Sequence, residues 1–185
     1  MKHLLTICAM SLAVASGCTP KNSLLNSTTP LSVRMVESEM KRTPDAITMD
    51  GVKSPKWNYT TGLELLSFMD VARVYERPDF YEYAYNYYDT MVQSDGSVLT
   101  YRKDKYNLDH VCPGRPLFEI YQRTGDERFM KVIDTLHSQL LEQPRTPEGG
   151  YWHKKIYPNQ MWLDGLYMAE PFHAEYVERF VATRD

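Results

Sequence analysis

Tyr75-Glu76-Arg77-Pro78-Asp79-Phe80 and Tyr121-Gln122-Arg123-Thr124-Gly125-Asp126-Glu127-Arg128-Phe129 are the same corner written twice. In each, one helix closes on Tyr-x-Arg, a Pro or Gly interrupts it, and an Asp followed by an aromatic opens the next helix. A third copy begins at Tyr176 and Arg179 and reaches Thr183, Arg184 and Asp185. Helical hairpins repeated at this spacing bury their apolar faces only by stacking on one another, as in solenoids and closed helical toroids. The chain therefore reads as all-α, with inner and outer helices alternating and a further outer helix due where the quoted sequence stops.

Working outward from the corners, apolar residues recur at helical spacing along the chain, and no segment shows strand alternation over a useful length. Helices are expected over 31–41, 62–75, 78–92, 112–121, 127–142 and 161–181, with an extended piece at 98–101. Leu63, Leu65, Leu66, Met69, Val71 and Ala72 are spread so widely that helix 62–75 should be enclosed on most sides. Pro171 should kink or break the last helix.

Residues 1–18 read as a targeting leader to be set apart from the fold. Met1-Lys2-His3 is a basic start, Leu4 to Ala15 an apolar run too short to span a bilayer as a mature helix, and Ala15-Ser16-Gly17-Cys18 a small-residue cleavage site. The pattern resembles a bacterial lipoprotein signal, with Cys18 as the lipidated first residue; plain cleavage and secretion is the alternative. Either way the protein is expected outside the cytoplasm, periplasmic or on the outer membrane, touching a membrane only through that lipid. Residues 19–30, rich in Thr, Ser, Asn and Pro, read as a tether, and 31–185 as the folded domain. Once Cys8 leaves with the leader and Cys18 takes lipid, Cys112 is a single thiol without a partner, expected in the core. A net charge of -3 gives no footprint for nucleic acid. The 14 Tyr and 3 Trp suit a sugar cleft, but they suit interhelix packing at least as well.

The chemistry concentrates in Gly150 to Phe172. An extended arm carrying Tyr151-Trp152-His153-Lys154 leads through Pro158-Asn159 to a helix with one carboxylate, Asp164. Met161, Trp162, Leu163, Leu166, Tyr167 and Met168 leave that helix no polar face, so Asp164 is expected in or beside a buried surface, where apolar surroundings favour a neutral carboxyl group. Gly165 lets something approach the helix next to it. Asp109 lies 55 residues earlier, also just after an irregular stretch, and two carboxylates in one cavity can divide acid and base work. Competing readings have Asp164 bracing a helix and Asp109 serving as an N-cap. His153 and Lys154 are candidates to bind an anionic substrate, Trp57, Trp152 and Trp162 to stack on sugar, and His110 reads as structural.

Asn107-Leu108-Asp109-His110, followed by Tyr151-Trp152-His153-Lys154 and by Gln160-Met161-Trp162-Leu163-Asp164-Gly165-Leu166-Tyr167-Met168-Ala169, resembles glycoside hydrolase family 105. These are the unsaturated rhamnogalacturonyl hydrolases, related to the unsaturated glucuronyl hydrolases. The resemblance runs from about Trp57 to Asp185. It implies an (α/α)6 toroid of which this sequence supplies about six of twelve helices, as a fragment or truncated product. It implies hydration of the C4=C5 bond in a 4,5-unsaturated uronic acid at the non-reducing end of an oligosaccharide. By the same resemblance Asp164 protonates C4 and activates water, and Asp109 assists by binding sugar hydroxyls or tuning Asp164. Trp57, Tyr59, His153, Lys154 and Trp162 would line the subsite. No cofactor and no metal is expected. A surface-tethered glycan-binding remnant and a helical-repeat scaffold are the competing functions.

Overall fold

The computed structural model describes residues 28–182. The leader at 1–18, Cys18 and most of the 19–30 tether lie outside the described residues, as do Thr183, Arg184 and Asp185. Within 31–182 the chain forms α1 (Leu31–Arg42), α2 (Tyr59–Tyr75), α3 (Pro78–Met91), α4 (Pro116–Thr124), α5 (Glu127–Glu142) and α6 (Leu163–Tyr176), joined by short 3-10 turns and, after α6, a π turn at Val177–Val181. Among the described residues backbone pairing between extended segments is limited to isolated bridges, Val92 with Val98, Asn107 with Lys154 and Arg145 with Tyr151.

The repeated corner is a real structural unit. Glu76 and Gly125 both take left-handed backbone angles, φ 53° and 64°, and end α2 and α4. Each turn is then clamped by an ion pair of the same kind, Arg77 with Asp79 at 2.7 Å and Arg128 with Asp126 at 2.7 Å. Two antiparallel hairpins result, α2 on α3 and α4 on α5, with α2 also against α4 and α6 against α5. Their shared core is aromatic: Phe80, Tyr87, Tyr88, Phe118, Phe129 and Phe172 are all essentially buried. Cys112 is buried as expected, and burial pushes its thiol up to about 11, so it stays protonated at neutral pH.

Four expectations change. The helix expected from Cys112 begins only at Pro116, after a 3-10 turn at Cys112–Gly114, and runs on to Thr124. Helix α2 begins three residues earlier than its apolar pattern suggests, because the Asn58 side chain accepts from the Thr60 N–H and caps it. Its Leu63 is exposed, so α2 is open along one side. Pro171 does not break α6, which runs unbroken to Tyr176 and changes its bonding pattern only at Val177.

Candidate active site

Asp109 is placed by a turn with an unusual amount of support. Asn107, not Asp109, caps the 3-10 turn Leu108–His110: its Oδ1 accepts from the Asp109 N–H at 3.0 Å. This leaves the Asp109 carboxylate free for other partners. The turn packs on α6, and the Cys112–Gly114 turn that follows it packs on α2. A Cβ at Gly62 would lie 2.4 Å from Pro113, so only glycine lets α2 approach that closely.

The arm is fixed to the same turn. Leu108 N–H donates to the His153 carbonyl at 3.0 Å, and His153 N–H donates to the Gln160 carbonyl at 2.8 Å. Two buried glutamines, Gln139 of α5 and Gln143 at its C-cap, hold both segments of this junction from behind. Gln139 Nε2 donates to the Asn107 carbonyl, and Gln143 Nε2 donates to the carbonyls of Tyr106 and Trp152, each at 2.8 Å. Sequence reasoning missed this pair. Its signal was two glutamines four residues apart, one on the otherwise apolar face of α5 and one just past its end.

The side chains then converge. His153, 1% exposed, donates from Nε2 to Asp109 Oδ1 at 3.1 Å, and Lys154 Nζ lies 2.6 Å from Asp109 Oδ2. One carboxylate thus has a donor on each oxygen, the arrangement that holds an ionised group in place. The His153 ring lies flat on Trp162, with centroids 4.3 Å apart and planes 11° apart, and Trp162 also stacks on Tyr157. The room beside Gly165 turns out to be occupied by the same imidazole: a Cβ on Gly165 would sit 3.0 Å from His153 Nδ1. Burial pulls the His153 imidazole below its ordinary value, against the opposing charges of Asp109 and Asp164. It is therefore neutral at neutral pH. Asp164 lies next to Gly165 in the first turn of α6.

Asp109 is also where the cluster meets a cleft of about 280 Å³, lined by Asp50, Lys56, Trp57, Asn58, Tyr59, Thr60, Asn107, Asp109 and His110. Tyr59 is exposed along it. Trp57 corrects the sequence reading. It is 1% exposed, stacks on Tyr87, takes the edge of Tyr88, and donates from Nε1 to the His110 carbonyl at 2.8 Å. It is a core residue that forms the floor of the cleft and has no open face to offer a sugar.

Asp164 is the larger correction. It is exposed, as are Met161, Trp162, Leu163, Leu166 and Tyr167, with Leu163 reaching 86%. Only Gly165, Met168, Ala169 and Phe172 of α6 are buried. The apolar residues that were expected to enclose the carboxylate instead stand together on an open face around it, because α6 packs on the rest of the domain through that one narrow stripe. The structure brings Asp109, His153, Lys154 and Trp162 into one cluster with Asp164 at its edge, and puts Tyr59 and Trp57 on the adjoining cleft.

Residues 31–184 match the family model described as Glycosyl Hydrolase Family 88. The chain belongs to glycosyl hydrolase family 88. A solved family 105 glycoside hydrolase from C. acetobutylicum ATCC 824 is similar in structure, with a TM-score of 0.73 and 32% identity over 82% of this chain. The match covers 40% of that protein, so the chain spans well under half the length of its structural relative. Family 88 membership and the family 105 likeness agree with the all-α architecture of the toroids in these families.

Proposed function

We propose that the chain carries the catalytic cluster of an unsaturated uronyl hydrolase acting on oligosaccharides left by a polysaccharide lyase, with unsaturated rhamnogalacturonan fragments as the substrate class. The observation that supports this reading is the cluster in which a buried, neutral His153 bonds Asp109 and feels the charge of Asp164, beside a cleft that Asp109 lines. The reaction balances without any cofactor. The Asp164 carboxyl group gives its proton to C4, the ring oxygen stabilises the resulting cation at C5, and water adds there as Asp164 takes back a proton. The hemiketal opens and the aglycone departs as an alcohol. Asp109, bonded by Lys154 and His153, binds sugar hydroxyls at the cleft mouth. Lys56, exposed on the same cleft and without an ion-pair partner among the described residues, is available to the uronate carboxylate.

Protonating carbon calls for a carboxyl group out of water. In this reading the cover comes with the substrate: a sugar laid over Leu166 and against the exposed part of Trp162 left by its stacking on His153 and Tyr157 expels water from around Asp164. Export through the leader and attachment at Cys18 would place the enzyme where lyase products enter the cell envelope. The test is the ultraviolet absorbance of the conjugated C4=C5 uronate, followed with unsaturated rhamnogalacturonan and glucuronyl disaccharides. Loss of the band supports the reading, and a flat trace across a panel of lyase products rejects it.

The exposure of Asp164 favours a second reading, a surface-tethered glycan-binding protein that keeps the cleft without turnover. Calorimetry would distinguish the two. Equal affinity for an unsaturated disaccharide in wild type and Asp164→Asn, with no turnover in either, selects the binding protein.

A further inference from the structure

The His153 ring is held on every side. Its main-chain N–H and carbonyl are both bonded, one face lies on Trp162, Nε2 meets Asp109, and Nδ1 is pressed toward the backbone at Gly165. An ionised carboxylate only accepts, so the neutral ring must carry its proton on Nε2. Nδ1 is then a bare lone pair, and it is buried without a hydrogen-bond partner. Native structures rarely leave a buried polar atom in that state. The charged groups that act on the ring come from three elements: Asp109 from the 108–110 turn, Lys154 from the arm and Asp164 from α6.

We propose that His153 is a positioning residue: a tautomer-locked spacer that ties the Asp109 turn to the first turn of α6 and so fixes the two carboxylates relative to each other. Gly165 is part of the device, since a methyl group there would crowd the ring at Nδ1 to 3.0 Å, and Leu108 Cδ1 to 3.3 Å, so that these neighbours would have to give way. A histidine placed only to fill the core would not need its Nε2 proton aimed at one carboxylate, nor a glycine cleared for it on the helix that carries the other. The catalytic part of the inference rests on the function proposed above, whereas the lock itself is a property of the chain and can be tested without turnover.

Long-range nitrogen–proton NMR on the labelled full chain reads the tautomer and the titration of each histidine. The lock requires His153 to show the Nε2–H form and a midpoint below about 6.5, the ordinary imidazole value. Asp164→Asn and Asp109→Asn should each move that midpoint further down, because each removes a charge that favours the protonated ring. An Nδ1–H form, or a midpoint that ignores Asp164→Asn, overturns the proposal. Gly165→Ala should shift the His153 and Trp162 ring resonances while helical circular dichroism is kept. If that variant does not fold, the two Asp→Asn variants decide the matter, since both change partly or fully exposed groups. In the turnover assay His153→Leu should lower kcat on the order of tenfold to a hundredfold with little change in KM, as loss of an orienting partner does elsewhere, and His153→Gln, which keeps a donor, should recover part of it. Equal loss in Leu and Gln would reject the orienting role. Absence of turnover in wild type with the tautomer and midpoints as expected would reject the proposed function and leave the lock standing.

Discussion

Asp109 and Asp164 are the same residue type, one on a 3-10 turn ahead of α4 and one in the first turn of α6, and the molecule treats them in opposite ways. Asp109 sits on a capped turn wedged between helices, with a donor on each oxygen and two buried glutamines bracing the backbone behind it. Asp164 stands on the open first turn of a helix whose apolar residues face out around it. The first carboxylate is organised by the chain itself. The second has its supports in place on one side, His153 and Gly165, and waits for cover on the other. A cluster need not be built to the same degree throughout, and the carboxylate proposed to exchange protons is the one left accessible.

That contrast can be broken most sharply by removing the carboxylate proposed above as the proton donor. Asp164→Asn should cost turnover on the order of 10² to 10⁴-fold, the usual range for a general acid or base, while the melting temperature hardly moves. Unchanged turnover would end the acid assignment. On the organised side, Phe172→Ala removes a ring of α6 that packs on Phe118 at 5.0 Å, and should cost about 3–5 kcal/mol in urea unfolding. A loss under about 1 kcal/mol would mean that α6 is less firmly docked than its burial indicates.

Acid should sharpen the comparison next. His110, His137 and His153 are each held below the ordinary imidazole value, first of all by burial. Between the folded midpoint and about 6.5 the unfolded chain binds more protons than the folded one, so stability is complete above about pH 6.5 and falls as pH drops below it. Urea midpoints measured from about pH 7 down to about pH 5 should decrease, and His153→Gln should flatten the slope. A midpoint that rises on acidification would contradict the burial of these rings. The smallest effect belongs to the open face: Leu163→Ser should change stability by no more than about 0.5 kcal/mol, yet lower the binding of an apolar dye.

Much of this was legible in the chain beforehand, and the reasons for the gaps are physical. The Tyr-x-Arg corners gave the hairpins because a left-handed stop followed by a Pro in the first turn or an Asp cap leaves few other paths. Gly165 announced a close approach but not its occupant, since a missing side chain says only that space is needed. Asn107 precedes Leu108-Asp109 as a capping residue should, which frees Asp109 from the N-cap reading. The exposure of Asp164 was not readable, because an apolar pattern around a helix tells which residues can be buried and not which face finds a neighbour. Trp57 was misread for a related reason: an indole that stacks on protein and one that stacks on sugar are the same letter.

The contact between His153 and Trp162 also makes the chain its own indicator. An imidazolium ring quenches excited indole far better than a neutral one, and these two rings lie face to face at 4.3 Å. Protonation at this one position should therefore dim the emission of Trp162, so that the electrical state of the cluster can be followed by light in unlabelled protein.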